Sequence, residues 1–110
     1  MQEYVRRFNA RDFDGLRDML AEGVRLDLVA RHRVQGRKQV ASYFGNYAAF
    51  PDLRVRPATV EGKSAIVVEP LAGDDGARQA YVVVFEWDEQ GKLAAIRDFR
   101  YARYVMASLA

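Results

Sequence analysis

The sequence offers two carboxylates as candidates for proton transfer, Asp27 and Asp98. A carboxylate in a dry cavity can act as a general base because burial raises its pKa toward neutrality, and a nearby hydroxyl can stabilise the resulting oxyanion. Asp27 lies in a strictly alternating segment whose apolar members are Val24, Leu26 and Leu28. The alternation places Asp27 on the opposite face, so we expect it to be solvated or salt-bridged.

Asp98 lies in a second alternating segment, which places it on one face with Ile96 and Arg100. The other face then carries Arg97, Phe99 and Tyr101. We expect Asp98 to form a cross-strand ion pair that fixes strand register, worth at most about 1 kcal/mol if exposed. The alternative, a base that works with a nearby arginine, stays open.

Aromatic residues with polar tips could line a cavity and supply hydroxyl or indole donors to a ligand. With one arginine they form the predicted ligand-binding set, which is Tyr43, Tyr47, Tyr81, Trp87, Arg97 and Tyr101. Each aromatic member could equally be an ordinary core residue.

Composition argues against several other classes of function. The chain has no cysteine and one histidine, His32, which we place in a surface turn, so we predict no metal site and no cofactor. Seventeen basic residues stand against fifteen acidic ones and are scattered, so we expect no direct contact with nucleic acid. No apolar run reaches the roughly 18 residues of a membrane span, and we expect a cytoplasmic protein.

The helices and strands must position these side chains, and at 110 residues they form one domain, residues 1–110. Apolar residues recur at helical spacing in three segments and alternate or cluster as strands elsewhere. The predicted helices are 2–9, a second that Asp12 or Asp14 caps and Gly23 ends, and 37–50. The predicted strands are 24–28, 31–34, 53–60, 64–69, 79–87 and 92–101, and the tail 103–109 is either a strand or a helix.

Turn residues connect these strands. Glu61-Gly62 predicts a tight hairpin, 72–77 a polar loop and 88–91 a further turn, and the strand 79–87 should be central in the sheet. The order of elements indicates an α+β domain in which a helix-lined sheet cups a pocket.

Three stretches resemble the SnoaL-like branch of the nuclear-transport-factor-2-like superfamily: Phe8–Leu16 with Met19 and Leu20, Val34–Val40, and Gly91–Phe99. The resemblance implies a cone-shaped, curved, mixed or antiparallel sheet around a helical hairpin and a third helix, with a central pocket. That fold hosts isomerases, dehydratases, epoxide hydrolases, cyclases and catalytically silent binding modules. It implies a ketosteroid-isomerase-like alternative in which Asp27 or Asp98 is the general base and a tyrosine hydroxyl the oxyanion donor.

Three further segments look like the C-terminal accessory domain of extracytoplasmic-function sigma factors: 24–28, 43–47 and 96–105. The promoter-binding helices of such a factor are not present in this sequence. The resemblance implies a noncatalytic regulatory or ligand-sensing domain that modulates transcription initiation. Its partners would be a small apolar ligand and the sigma-factor core domains or RNA polymerase. A homodimer through the sheet, burying residues such as Val83 and Phe85, is a further expectation.

Overall fold

The computed structural model describes residues 1–29, 31–49, 53–70 and 80–100, apart from the side chains of Asn46 and Pro70. Its helices are α1 (Gln2–Asn9), α2 (Phe13–Arg17), α3 (Arg37–Ala41) and α4 (Tyr43–Ala48). Its strands are β1 (Leu20–Leu28), β2 (His32–Gln35), β3 (Leu53–Val60), β4 (Lys63–Pro70), β5 (Tyr81–Trp87) and β6 (Leu93–Asp98). The predicted loop 72–77, Tyr101 and the tail 103–109 lie outside the described residues.

The six strands form one curved, open, mixed sheet in the order β2-β1-β6-β5-β4-β3. β1 and β6 run parallel, and every other neighbouring pair is antiparallel. β5 lies inside the sheet, as expected, between β4 and β6. The predicted α+β class is therefore confirmed.

The first two helices form the expected hairpin, but α2 is shorter than predicted. Asp12 caps it, accepting a hydrogen bond from the Gly15 backbone N–H at 2.9 Å. The helix ends at Arg17 rather than near Gly23, because Leu20 already belongs to β1 and pairs with Leu93 of β6. Leu20 has helical spacing in the sequence, yet it is buried as a strand residue.

The third helical segment contains a break that the sequence pattern did not predict. α3 and α4 meet at Ser42, whose hydroxyl donates to the Gln39 carbonyl at 2.9 Å. A serine hydroxyl that bonds back to the preceding turn offers the backbone an alternative to continuous helix. The predicted apolar face survives the break, since its members are all buried: Val40, Tyr43, Phe44 and Tyr47.

The β3–β4 hairpin forms around Glu61 and Gly62, which have φ angles of 50° and 80°. Two successive positive φ angles are the geometry of a type I′ turn, whose twist matches that of the flanking strands. The predicted tight hairpin is confirmed.

We call the sheet face that packs against the helices the inner face, and the opposite one the outer face. The main core lies between the helices and the inner face. Val83 and Phe85, which we expected on a dimer interface, belong to this core and are 0% and 2% exposed. Val82 and Val84 lie on the outer face instead, in a second apolar cluster. A homodimer through Val83 and Phe85 would therefore require the core to open.

Candidate functional site

Asp98 is the last residue of β6 and the one charged side chain that is buried among the described residues, at 1% exposure. Its register neighbours on the adjacent strands are Leu28 and Val83, which are both apolar. The prediction of a cross-strand ion pair at Asp98 was therefore wrong. The side chain turns to the inner face instead, where helix α4 supplies its partners.

Two tyrosine hydroxyls donate to the same carboxylate oxygen of Asp98. The hydroxyl oxygens of Tyr43 and Tyr47 each lie 2.6 Å from Asp98 Oδ2. Because residues four apart on a helix share a face, α4 presents both phenols together. The backbone N–H of Arg100 donates to Oδ1 at 2.8 Å, so both carboxylate oxygens accept hydrogen bonds from the protein.

Tyr81, the first residue of β5, extends this network. Its hydroxyl donates to the hydroxyl oxygen of Tyr47 at 2.8 Å, and the hydroxyl oxygens of Tyr43 and Tyr47 are 3.2 Å apart. We call Tyr43, Tyr47, Tyr81 and Asp98 the tyrosine–aspartate cluster. None of the four is more than 5% exposed, so the predicted pocket-lining tyrosines are packed together in the core.

Burial determines the protonation behaviour of this cluster. Desolvation raises the pKa of Asp98, and the hydrogen bonds from Tyr43, Tyr47 and the Arg100 backbone oppose that rise. Burial, reinforced by the nearby negative charge, holds the pKa of Tyr43 and Tyr47 well above 10. The phenols therefore stay protonated and remain hydrogen-bond donors.

The sheet separates the two candidate carboxylates. Asp27 lies on the outer face, 24% exposed, with its Oδ2 3.7 Å from Arg33 Nε and 3.8 Å from Arg97 Nε. This is the salt-bridged placement that alternation predicted. Since Asp27 pairs in register with Arg97 and not with Asp98, the two carboxylates face opposite sides of the sheet and cannot act on one substrate.

Arg97 and Trp87, which were also predicted to bind a ligand, do not join the cluster. Arg97 lies on the outer face, half exposed, with its guanidinium 5.2 Å from the Phe99 ring centroid. Trp87 is half-buried beside Phe85, and Tyr101 lies outside the described residues. Tyr4 was missed by sequence reasoning: it is buried, and the charge of Asp98 contributes to its raised pKa. Its helical spacing with Phe8 indicated that Tyr4 is buried, but nothing in the sequence indicated that it lies near Asp98.

Two of the cavities formed by the described residues lie away from the cluster. One of about 370 Å³ opens on the outer face, between Arg33 and Glu86. The other, of about 490 Å³, lies beside the edge strand β3 and is lined by Val5 and Asn9 of α1. In the described ranges, no three acidic or histidine side chains come together as a metal site, and no helix has the length and apolar character to cross a membrane.

A family model of the SnoaL-like domain matches residues 1–96. The chain belongs to this family. The match covers all the strands and helices described above, save the last two residues of β6, and agrees with the mixed sheet and its helices. No curated protein sequence matches the chain.

Solved structures share the fold of this SnoaL-like domain. SalBIII, an epoxide hydrolase/cyclase-like enzyme of pyran ring formation in the polyether salinomycin, is 24% identical with a TM-score of 0.65, over 87% of this chain and 83% of its own. A SnoaL-like protein of unknown function from Burkholderia thailandensis is 19% identical with a TM-score of 0.66, over 87% and 86%. A de novo designed protein with a curved β-sheet is 21% identical with a TM-score of 0.63, over 97% and 95%. An enzyme and a designed chain thus share this backbone, and the likeness establishes fold alone.

Proposed function

We propose that this SnoaL-like domain is a noncatalytic, ligand-sensing domain of a sigma factor and modulates transcription initiation. The proposal that the domain is noncatalytic rests on the hydrogen bonding and burial of Asp98. Both of its carboxylate oxygens accept hydrogen bonds from the protein, and the side chain is buried. A general base needs an oxygen lone pair aimed at the substrate proton, whereas here protein donors take both acceptor sites of Oδ2 and one of Oδ1.

The ligand we propose is a small apolar molecule that carries one acceptor oxygen, such as a ketone. The tyrosine–aspartate cluster offers phenol donors in an aromatic setting, with the rings of Phe8 and Phe44 5.2 Å and 5.1 Å from those of Tyr47 and Tyr43. A carbonyl oxygen could replace Asp98 Oδ2 as the acceptor of the two phenols. Apolar walls with a few convergent polar groups are typical of small-molecule sites.

The regulatory part of the proposal depends on how the cluster joins two parts of the chain. Tyr43 and Tyr47 bring in helix α4, and the bond from the Arg100 backbone brings in the segment after β6. The sequence from residue 96 onward is one of those that resemble the sigma-factor accessory domain. A ligand that took the phenols from Asp98 would alter α4 and the backbone at Arg100 together, and so change the contact with sigma-factor core domains or RNA polymerase.

A second candidate function, proton transfer on an apolar substrate, has one observation in its favour. Asp98 is a buried carboxylate whose pKa is raised, beside two phenols that remain donors. If the cluster opened to admit substrate, Asp98 could act as the general base and Tyr43 or Tyr47 as the oxyanion donor. Asp27 has no part in this mechanism because it faces the other side of the sheet.

The test uses Asp98→Asn and Asp27→Asn as a matched pair. The domain is titrated with 2-acetylnaphthalene, an aromatic ketone, while tyrosine side-chain NMR signals are followed, and its binding to sigma-loaded RNA polymerase is measured by interferometry. We expect the domain to bind both the ketone and the polymerase saturably. Asp98→Asn should alter this binding, and Asp27→Asn should leave it unchanged. A domain that bound neither the ketone nor the polymerase would refute the proposal.

The enzyme candidate is decided separately, with the β,γ-unsaturated ketone 3-cyclohexenone as substrate and its conversion to the conjugated isomer followed by absorbance. Turnover that Asp98→Asn abolishes and Asp27→Asn preserves would establish catalysis. Such a result would replace the noncatalytic proposal.

A further inference from the structure

The cavity of about 370 Å³ on the outer face lies on the opposite side of the sheet from Asp98. Its charged and polar lining comes from four adjacent strands, and we call the site the outer cleft: Arg33 and Gln35 of β2, Arg25 and Asp27 of β1, Arg97 of β6 and Glu86 of β5. Small-ligand sites in proteins begin at about 300 Å³. The outer cleft therefore has room for a small molecule.

Ala95 gives the outer cleft its depth. In the sheet it lies directly between Arg25 of β1 and Glu86 of β5, on the same face as both. A methyl group thus stands where both neighbours carry long side chains. The long side chains on the neighbouring strands form the walls of the cleft, and Ala95 forms part of its floor.

The arginines of the outer cleft are arranged around Asp27 without being saturated by it. Arg33 and Arg97 pair in register with Asp27 from either side, and each approaches it through Nε, at 3.7 Å and 3.8 Å. Those distances exceed a hydrogen bond. Among the described residues, the guanidinium groups of Arg25, Arg33 and Arg97 donate no hydrogen bond, so their terminal amino groups are available to a ligand.

Arg97 is held in place for such a role. Its guanidinium lies over the Phe99 ring, at 5.2 Å from the centroid, and its backbone is in an interior strand. A cation fixed over an aromatic face loses little freedom when it binds, and a guanidinium fork matches a carboxylate with two parallel hydrogen bonds.

We propose that the outer cleft binds a small organic monocarboxylate through Arg97 and Arg33. The charge of the site selects a monoanion: three arginines against Asp27 and Glu86 give 3 − 2 = +1, which one carboxylate neutralises. A phosphate dianion would leave excess negative charge beside the two acidic side chains. This site is independent of the tyrosine–aspartate cluster.

The test is an NMR titration of the isotope-labelled domain with sodium benzoate, with sodium chloride at equal ionic strength as the control. We expect saturable shifts of backbone amides in β1, β2 and β6, and none at Tyr43 and Tyr47. Arg97→Gln should weaken binding by about tenfold, the loss expected for charge-assisted hydrogen bonds. Ala95→Leu fills the cleft without changing any charge and should abolish the shifts.

Each of four outcomes would overturn the proposal. The first two are amide shifts with chloride equal to those with benzoate, and benzoate binding that survives Ala95→Leu. The other two are phosphate binding as tight as benzoate binding, and binding of an amidated peptide with one glutamate that is tighter than benzoate binding. The last result would assign the cleft to a protein partner. Circular dichroism of both variants verifies that the sheet is intact.

Discussion

The hydroxyl of Tyr47 lies 2.6 Å from Asp98 Oδ2, across 51 residues of sequence. This contact ties helix α4 to the end of β6 and makes Tyr47 the centre of the cluster, since Tyr43 and Tyr81 also reach its hydroxyl. A buried carboxylate without such donors would carry a large desolvation penalty. The phenols are thus the reason that Asp98 can be buried here.

Removing the Tyr47 hydroxyl should destabilise the domain more than removing that of Tyr43. Tyr47→Phe deprives Asp98 of a donor and Tyr81 of its acceptor, whereas Tyr43→Phe deprives Asp98 alone of a donor. We expect losses of about 2–3 and about 1–2 kcal/mol in the free energy of unfolding. Urea denaturation of the two variants measures both, and equal losses would contradict the central role of Tyr47.

Stability should depend on pH through Asp98. Because its pKa is raised on folding, the folded protein holds the proton more tightly than the unfolded chain. The stability contributed by protonated Asp98 is present below the ordinary aspartate range and is lost as pH rises through the raised pKa. Tyr4, Tyr43 and Tyr47 around it have raised pKa values and do not titrate in this range.

The measurement is the free energy of unfolding of wild type and Asp98→Asn between about pH 4 and pH 8. Wild type minus variant should be largest at the acid end and fall as pH rises. Asp27→Asn is the matched control, and its difference from wild type should stay below about 1 kcal/mol, as for a partly exposed ion pair. A flat difference for Asp98→Asn would show that folding does not raise the pKa of Asp98.

Asn9 should protect the open edge of the sheet. Its side-chain amide donates to the Val55 carbonyl at 3.0 Å and accepts from the Val55 N–H at 2.9 Å, as a neighbouring strand would. Asn9→Ala removes both bonds from edge strand β3, and we expect a loss of about 1–2 kcal/mol and faster hydrogen exchange at Val55. Asn9→Asp keeps only the acceptor oxygen, so its stability should lie between those of wild type and Asn9→Ala. Unchanged exchange at Val55 in Asn9→Ala would count against this role.

Local patterns predicted most of the fold. Helical spacing indicated α1 and the buried face of α3 and α4, and the positive-φ preference of Gly62 indicated the β3–β4 turn. The end of α2 was missed because Leu20 fits a helix by spacing, while its partner Leu93 lies far along the chain. Long-range pairing overrode the local pattern at that point.

The candidate site was predicted only in its parts. The spacing of Tyr43 and Tyr47 placed both on one helix face, and alternation placed Asp27 outside, and both are observed. The partner of Asp98 could not be predicted, because strand alternation says which residues share a face and not which helix covers that face. For the same reason Arg97 was grouped with tyrosines that lie across the sheet from it.

The parallel pairing of β1 with β6 has a consequence for synthesis on the ribosome. β1 and β2 emerge early, yet β6 must insert between β1 and β5 before the sheet is continuous. Contacts between such distant segments form slowly, because the chain loses loop-closure entropy before the contacts stabilise it. The nascent chain therefore carries an incomplete sheet, with the edge of β1 uncovered, until residue 98 has left the exit tunnel.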